Sequence, residues 1–148
     1  VPVVFLAVPY AAVPQIGRDF GALLKGKVLI DCSNPFPGRD GDMAKAALQK
    51  GSGVATQEFI PGARVTRAFG TINFKVALET PHRAGPKLAI PIAGDDAAAL
   101  RTTANLVIDA GFDPVVVGGL ATSKSFDYGS PGSGKNATAA ELRKILGL

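Results

Sequence analysis

The chain has 148 residues, of which 47% are hydrophobic and 19% are charged, and this balance excludes intrinsic disorder. The formal net charge is +4, but the basic residues are scattered, aromatic residues are few and Trp is absent, which argues against nucleic-acid binding and fits a mild attraction for anionic small molecules. We predict a single domain, residues 1–148, without a membrane segment, because no apolar run approaches the length of about 20 residues that spans a bilayer.

The first predicted element is a strand. Val3 to Val8 is an unbroken apolar run that is too short for a helix, and such a run is typical of a strand buried on both faces in the middle of a parallel sheet. Pro9 ends it, because proline cannot donate to a ladder. Helical spacing then predicts a helix up to Gly26, and Val28–Ile30 forms a second strand that ends at Asp31. Strand, helix and strand form a βαβ unit, so the two strands are parallel.

The middle of the chain has weaker periodicity. Pro, Gly and charged residues cluster over 35–42, and we expect a loop there. Two short helices follow, Met43–Gln49 and Ser52–Ile60, then a third strand, Arg64–Phe69, and a helix over Thr71–Glu79.

The last part of the chain predicts two more strands and two helices. Lys87–Ala93 is a strand that contains Pro91, which demotes it to a sheet edge. Asp95 and Asp96 open a helix that ends at Gly111, and their charge suits the positive end of its dipole. The remaining elements are a strand over Val115–Val117 and a helix over Ala139–Leu146, with a capping box at Thr138 and Glu141.

These elements predict an α/β fold: a Rossmann-like, doubly wound, mostly parallel sheet of about five strands with helices on both faces. Ligands in such folds bind beyond the carboxyl ends of the strands. We expect the strand ends to converge along one edge and to form the pocket there, at Pro9, Asn34, Phe69–Gly70 and Gly118–Gly119.

Several motifs have a simpler structural interpretation. Gly129–Asn136 looks like a phosphate loop, but Asn136 replaces the Ser or Thr that holds magnesium, so we favour a flexible glycine loop. Cys32, the single cysteine, fits a reducing compartment and is either a small core residue or a reactive thiol. Asp31 is interpreted as orienting the turn that follows it. No nucleophile–base–acid set supports hydrolysis, and one His with one Cys makes no metal cluster.

Two arginines lie in the third strand. Arg64 precedes Val65 and Arg67 follows two positions after it, and we interpret both side chains as solvated.

Five segments, in order, resemble one family. They are VVFLAVPY (3–10), DCSNP (31–35), PGARVTRAF (61–69), AGDD (93–96) and DAGFDPVVVGGL (109–120). Together they are similar to the coenzyme-F420-dependent NADP oxidoreductases, small Rossmann proteins that pass hydride between NADP(H) and a deazaflavin. The resemblance implies an NADP(H)-dependent enzyme of the cytoplasm, with NADPH as cofactor and F420 or a flavin as second substrate.

The resemblance also implies site residues. Those that line the nicotinamide ring would be Ala7, Val8, Pro9, Tyr10, Asn34 and Pro35. Those that face the second substrate would be Ala68, Phe69, Gly70 and Thr71, with Gly118, Gly119 and Leu120 as the opposite wall. It implies no catalytic acid or base and no metal, because hydride passes directly between stacked rings.

The sequence departs from the family pattern in its first part. The chain begins at what resembles the fourth strand of the family, and no G-x-G-x-x-G follows a strand. We therefore expect either a fragment that corresponds to the last two thirds of the fold, or a protein that has lost dinucleotide binding. Gly70 also stands where the family has Asn, which leaves the second substrate open.

Two hypotheses follow. The first is the NADP(H)-dependent oxidoreductase, acting on a small molecule, and the alternative is a non-catalytic α/β domain that binds a ligand or partner at the same edge. We expect no nucleic-acid or membrane partner, and we expect a homodimer, since apolar helix faces and the first strand would otherwise stay exposed.

Overall fold

The computed structural model describes residues 1–148 and contains one five-stranded sheet covered by helices on both faces. The strands are β1 (Val3–Leu6), β2 (Val28–Asp31), β3 (Arg64–Arg67), β4 (Ala89–Gly94) and β5 (Asp113–Gly118). The helices are α1 (Val13–Leu24), α2 (Pro37–Lys50), α3 (Ser52–Phe59), α4 (Phe74–Glu79), α5 (Ala97–Asp109) and α6 (Ala139–Leu146). The predicted α/β, Rossmann-like fold with a mostly parallel sheet is confirmed.

The strands lie in the sheet in the order of the sequence, β1-β2-β3-β4-β5. The pairs β1–β2, β2–β3 and β4–β5 are parallel, whereas β3 and β4 are antiparallel. The antiparallel ladder joins only Thr66 to Gly94 and Arg67 to Ala93. The sheet therefore consists of two parallel parts that run in opposite directions.

Two apolar cores lie on the two faces of the sheet. One core places Leu29 and Val65 against α1 and α3, with Val13 and Ala55 as their helical partners. The other places Ile90, Ile92 and their neighbours against α5, which contributes Ala99 and Val107. A smaller cluster, Ala89, Val115, Ala137 and Leu142, seats α6 on the last two strands. Successive side chains along a strand point to opposite faces of the sheet, so neighbouring residues of one strand belong to different cores.

The first strand is at the edge of the sheet, and our prediction that it is buried on both faces is wrong. β1 pairs only with β2, and the side chain of Phe5 is 51% exposed. Val3 and Val4 are only half-buried. An apolar run shows that a strand packs against something, but it does not show whether a strand lies on each side.

The fourth strand is not an edge strand, although it contains Pro91, so this prediction is also wrong. β4 lies between β3 and β5, and Pro91 pairs with Val115. The Ala89 N–H, on the side away from β5, donates to the carbonyl of Ala137 at 2.8 Å. By alternation the ring nitrogen of Pro91 faces that same side, before the β3 ladder begins at Ala93. The proline therefore costs no ladder hydrogen bond.

The helices agree with the predicted pattern except near residue 40. We expected a loop over 35–42, but α2 begins at Pro37, where the missing N–H of proline costs nothing. Gly41 then kinks the helix with φ 67°. The capping box of α6 at Thr138 and Glu141 is confirmed.

Candidate functional site

A polar cleft of about 360 Å³ lies beyond the carboxyl ends of β2 and β3. Residues from three parts of the chain line it: Asn34, Phe36, Gly70, Thr71, Ile72, Asn73, Tyr128, Ser133 and Gly134. The structure thus brings one predicted cofactor residue, Asn34, together with two predicted substrate residues, Gly70 and Thr71. This cleft is the candidate functional site.

The carboxamide of Asn34 forms part of the cleft and is held at both ends. Its Nδ2 donates to the carbonyl of Gly70 at 2.7 Å, and its Oδ1 accepts from Arg67 Nη2 at 3.3 Å. Gly70 leaves room for this group, because a Cβ there would lie 2.9 Å from both Asn34 Oδ1 and Arg67 Nη2. The glycine that departs from the family pattern is therefore in direct contact with the amide of Asn34.

Arg67 lies below the cleft, and its side chain is only 1% exposed, so our interpretation of it as solvated is wrong. Residues two apart in a strand share a face, so Arg67 points into the same core as Val65, whereas Arg64 points to the other side. Its Nη1 donates to the carbonyls of Asp31 and Ser33 at 3.0 and 2.6 Å. Burial lowers the pKa of the guanidinium, but Asp31 and Asp127 more than offset this, and the net shift is upward.

Asp31 is the partner of Arg67 in the β2–β3 register, and its carboxylate is fully buried. It accepts from the backbone N–H of Ser33 at 2.9 Å and from the Ser33 hydroxyl, so it orients the turn as predicted. It also accepts from the hydroxyl of Thr56 at 2.7 Å. The hydroxyl of Tyr10 joins the same cluster, since it donates to the carbonyl of Ser52 at 3.2 Å and lies 3.2 Å from the Thr56 hydroxyl oxygen.

Asp127 is the second buried carboxylate of this cluster. It accepts from the backbone N–H of Ser52 at 2.7 Å, from the hydroxyls of Ser52 and Ser123, and from Arg67 Nη2 at 3.3 Å. The next residue, Tyr128, packs edge-on against Phe36, with ring centroids 4.6 Å apart. The buried cluster therefore anchors two residues that line the cleft, Asn34 through its contact with Arg67 and Tyr128 through its neighbour Asp127.

Phe69 has an unusual backbone conformation directly before Gly70. Its φ is 63°, a region that residues other than glycine rarely adopt. The ring packs between Phe5 and Phe112, with centroid distances of 6.1 and 6.5 Å. A residue other than glycine keeps this backbone conformation only where the surrounding packing enforces it, and such residues are frequent at binding sites.

The other predicted cofactor residues are divided between surface and core. Ala7 and Pro9 are exposed and Val8 is half-buried at the same edge as the cleft. The side chain of Tyr10 is fully buried beside Ser52 and Thr56 and does not line the cleft. Pro35 is also buried.

The predicted opposite wall lies elsewhere. Because β4 and β5 are antiparallel to β3, the carboxyl end of β5 points in the opposite direction from the carboxyl end of β3, which lies beneath the cleft. The N–H of Leu120 donates to the Asp95 carboxylate at 2.8 Å, and the side chain of Leu120 is buried in the core. Gly118 and Gly119 precede it. The prediction that they converge with Asn34 and Gly70 is therefore wrong.

The buried cluster was missed from the sequence. Asp31, Ser52, Thr56, Arg67 and Asp127 are polar residues from four separated segments. One available signal was the two-residue alternation of a strand, since Arg67 lies on the same face as apolar Val65 and that face is buried.

None of the helices combines the length and the hydropathy that a membrane span requires.

Comparison with known proteins supports the fold. No family model matches the chain, and no curated protein matches it. A hypothetical protein from Sinorhizobium meliloti has a similar structure, with a TM-score of 0.77 and 29% identity over 93% of this chain and 66% of that one. A protein from Arthrobacter sp. FB24, provisionally described as an F420-dependent NADP reductase, has a TM-score of 0.69 and 23% identity. That likeness covers 84% of this chain and 58% of the Arthrobacter chain. This chain thus spans less than two thirds of the length of the Arthrobacter protein, and both likenesses show a shared fold.

Proposed function

We propose that the protein is an NADP(H)-dependent oxidoreductase whose ring-binding site is the cleft at Asn34. Its activity would be hydride transfer between a nicotinamide ring and a deazaflavin, a flavin or a similar small acceptor. The observation that carries the proposal is the carboxamide of Asn34, held by Gly70 and Arg67 at the carboxyl edge of a Rossmann-like sheet. The fold shared with a protein provisionally described as an F420-dependent NADP reductase adds support.

The donors and acceptors in the cleft fit the polar group of such a ring. Asn34 has one Nδ2 hydrogen and one Oδ1 lone pair without a partner in the chain, and a carboxamide offers the matching acceptor and donor. Thr71 and Ser133 add hydroxyls, while Phe36 and Tyr128 add aromatic surface.

The side chains in the cleft suit positioning rather than proton transfer. Among the lining residues only Tyr128 has an ionisable side chain; the others are amides, hydroxyls, glycines and apolar groups. Hydride transfer between stacked rings gains mainly from proximity and orientation, so it asks the protein for shape and a few hydrogen bonds.

A non-catalytic binding domain is the second candidate. It is favoured by the lining of the cleft, whose amides and hydroxyls suit binding alone and include no acid–base pair. The two candidates share the cleft, but the second binds a different ligand or a partner there and does not bind a dinucleotide.

The experiment that tests the proposal is a titration of the chain with NADPH and with reduced nicotinamide mononucleotide, followed by nicotinamide fluorescence. The mononucleotide carries the ring and its carboxamide but no adenosine half, so its binding does not depend on a glycine-rich loop. Asn34→Ala should weaken binding of both by about tenfold, since about two neutral hydrogen bonds are lost. Oxidation of NADPH by F420 or FAD then reports hydride transfer.

Asn105→Ala is the matched control, because Asn105 lies exposed on α5 and outside the cleft. It should leave binding unchanged. Binding that is insensitive to Asn34→Ala would contradict the assignment of the cleft. Failure of both NADPH and the mononucleotide to bind would favour the non-catalytic domain.

A further inference from the structure

We infer that Arg67 is a positioning residue, which fixes the orientation of the Asn34 carboxamide so that Asn34 pairs with an amide group, –CO–NH–, of a planar ligand. This inference rests on the proposed function in one respect only, namely that the bound ligand takes part in hydride transfer. The orientation of Asn34 and its preference for an amide are properties of the protein alone.

The orientation of the carboxamide follows from two independent contacts. Arg67 can only donate, so the Asn34 atom 3.3 Å from its Nη2 must be the oxygen. The carbonyl of Gly70 can only accept, so the Asn34 atom 2.7 Å from it must be the nitrogen. Both contacts select the same orientation, and a flipped amide would lose both hydrogen bonds.

The unused half of the carboxamide sets the preference for a ligand. One hydrogen remains on Nδ2 and one lone pair remains on Oδ1, and Asn34 lines the cleft. A donor beside an acceptor is complementary to a primary carboxamide or to the lactam edge of a flavin-like ring. A ketone of the same shape lacks the donor and would satisfy only half of the pair.

An arginine is needed because of the number of acceptors around position 67. The four terminal N–H groups of Arg67 are directed to the carbonyls of Asp31 and Ser33, to Asn34 Oδ1 and to the Asp127 carboxylate. Lysine would keep the charge between Asp31 and Asp127, but its single nitrogen has three hydrogens and no planar fork. The contact with Asn34 is one of the longer ones, at 3.3 Å, and we expect it to be lost in Arg67→Lys.

The first test needs no ligand. In ¹⁵N-resolved NMR spectra of the wild-type chain, the Asn34 Nδ2 proton that donates to Gly70 should exchange more slowly with solvent than the side-chain amide protons of exposed Asn105. Arg67→Lys releases Oδ1 and lets the carboxamide turn away from Gly70, so it should shift both Asn34 signals and speed the exchange of the Gly70-bonded proton by about fivefold, the equivalent of one neutral hydrogen bond. Arg64→Lys is the matched control in the same strand, where the arginine is 39% exposed, and it should leave the Asn34 signals unchanged.

The second test uses nicotinamide and 3-acetylpyridine as probes, titrated separately and followed by the same Asn34 signals. The wild type and Arg64→Lys should prefer nicotinamide by about fivefold, whereas Arg67→Lys should bind the two rings equally. A purely structural role of Arg67 would weaken both rings alike and leave the ratio unchanged, and that result would overturn the inference.

Two further outcomes keep the inference separate from the proposed function. Nicotinamide discrimination that depends on Arg67, without hydride transfer from NADPH, would support the inference and contradict the oxidoreductase. Equally fast exchange of the Gly70-bonded Asn34 proton and of the Asn105 side-chain amide protons in the wild type would overturn the inference, whatever the outcome of the hydride-transfer assay. If Arg67→Lys does not fold, this wild-type measurement and Gly70→Ala, whose Cβ would press on Asn34 Oδ1, still decide it.

Discussion

Asp31 and Arg67 face each other across β2 and β3 as register partners, and both side chains are buried, with Arg67 Nη1 3.5 Å from Asp31 Oδ1. A charge pair in this position is not simply stabilising, because removing two ions from water costs about as much as their attraction returns. Its role in this protein is geometric: it joins the ends of two strands directly beneath the cleft.

Asp31→Asn should destabilise the protein by about 3 kcal/mol, because it leaves the buried guanidinium with one carboxylate partner instead of two. Urea unfolding at neutral pH measures the change. Glu58→Gln is the control, since the Lys50–Glu58 pair is about half exposed on both sides and should contribute less than about 1 kcal/mol. Equal losses for the two variants would contradict the argument for burial.

Gly17 and Gly21 lie one turn apart on α1, yet they should respond oppositely to alanine. A Cβ on Gly17 would lie 2.1 Å from the carbonyl oxygen of Phe59, so Gly17→Ala should force α1 away from α3 and cost about 2 kcal/mol. A Cβ on Gly21 meets nothing within 4 Å, and Gly21→Ala should stabilise the helix by about 0.5–1 kcal/mol. Thermal unfolding of both variants is the measurement. A shift of the same sign in both would contradict the close approach of the two helices.

Asp40 should make stability depend on pH below 4. The hydrogen bonds from Arg39 and from the backbone N–H groups of Phe36 and Ala11 lower the pKa of Asp40 from 3.8 to about 2. A carboxyl whose pKa is lowered by folding contributes stability above its unfolded pKa, and this contribution is lost as the pH falls from 3.8 towards 2.

Asp40→Asn should therefore cost about 1–2 kcal/mol at pH 7 and progressively less near pH 2, as measured by urea unfolding at a series of pH values. Asp42→Asn is the control two residues later, because that side chain is 95% exposed. A cost of Asp40→Asn that stays constant with pH would show that the contacts do not depend on charge.

Cys32 should be a slow nucleophile, which favours the small-core-residue interpretation over the reactive thiol. Burial, and then the charge of Asp31, raises the pKa of the thiol from 9.0 to about 12. The thiolate fraction at pH 8 is then at least about a hundredfold below that of an ordinary cysteine. Reaction with a maleimide in the native protein and in urea measures this ratio, and equal rates would exclude the raised pKa.

Local signals predicted the elements that depend on neighbouring residues. Asp96 caps α5 by accepting from the Ala99 N–H at 2.7 Å, and Thr138 and Glu141 cap α6 reciprocally. Helical spacing predicted α1 with its observed end near Gly26. These features need only a few consecutive residues, so the sequence contains them in full.

The errors concern which segments meet. Hydrophobicity could not show that β1 lies at an edge, or that β4 reverses direction relative to β3 and moves Gly118 away from the cleft. The contact of Asp127 with Arg67 spans 60 positions and depends on that same reversal. Asn34 follows the end of β2, as the sequence predicts, but its link to Gly70 is a tertiary contact that no local pattern contains.

The reversal of strand direction between β3 and β4 also affects where the native structure opens locally. Only two residue pairs of backbone ladder join the two parts of the sheet, so side chains bridge the joint: Thr66 to Thr103 at 2.8 Å on one face, Arg67 to Asp127 on the other. Amide protons along this joint should exchange before those inside either part, as expected where cooperative units meet. The joint runs beneath the candidate cleft, so we expect the native state to open first along a line directly under that cleft.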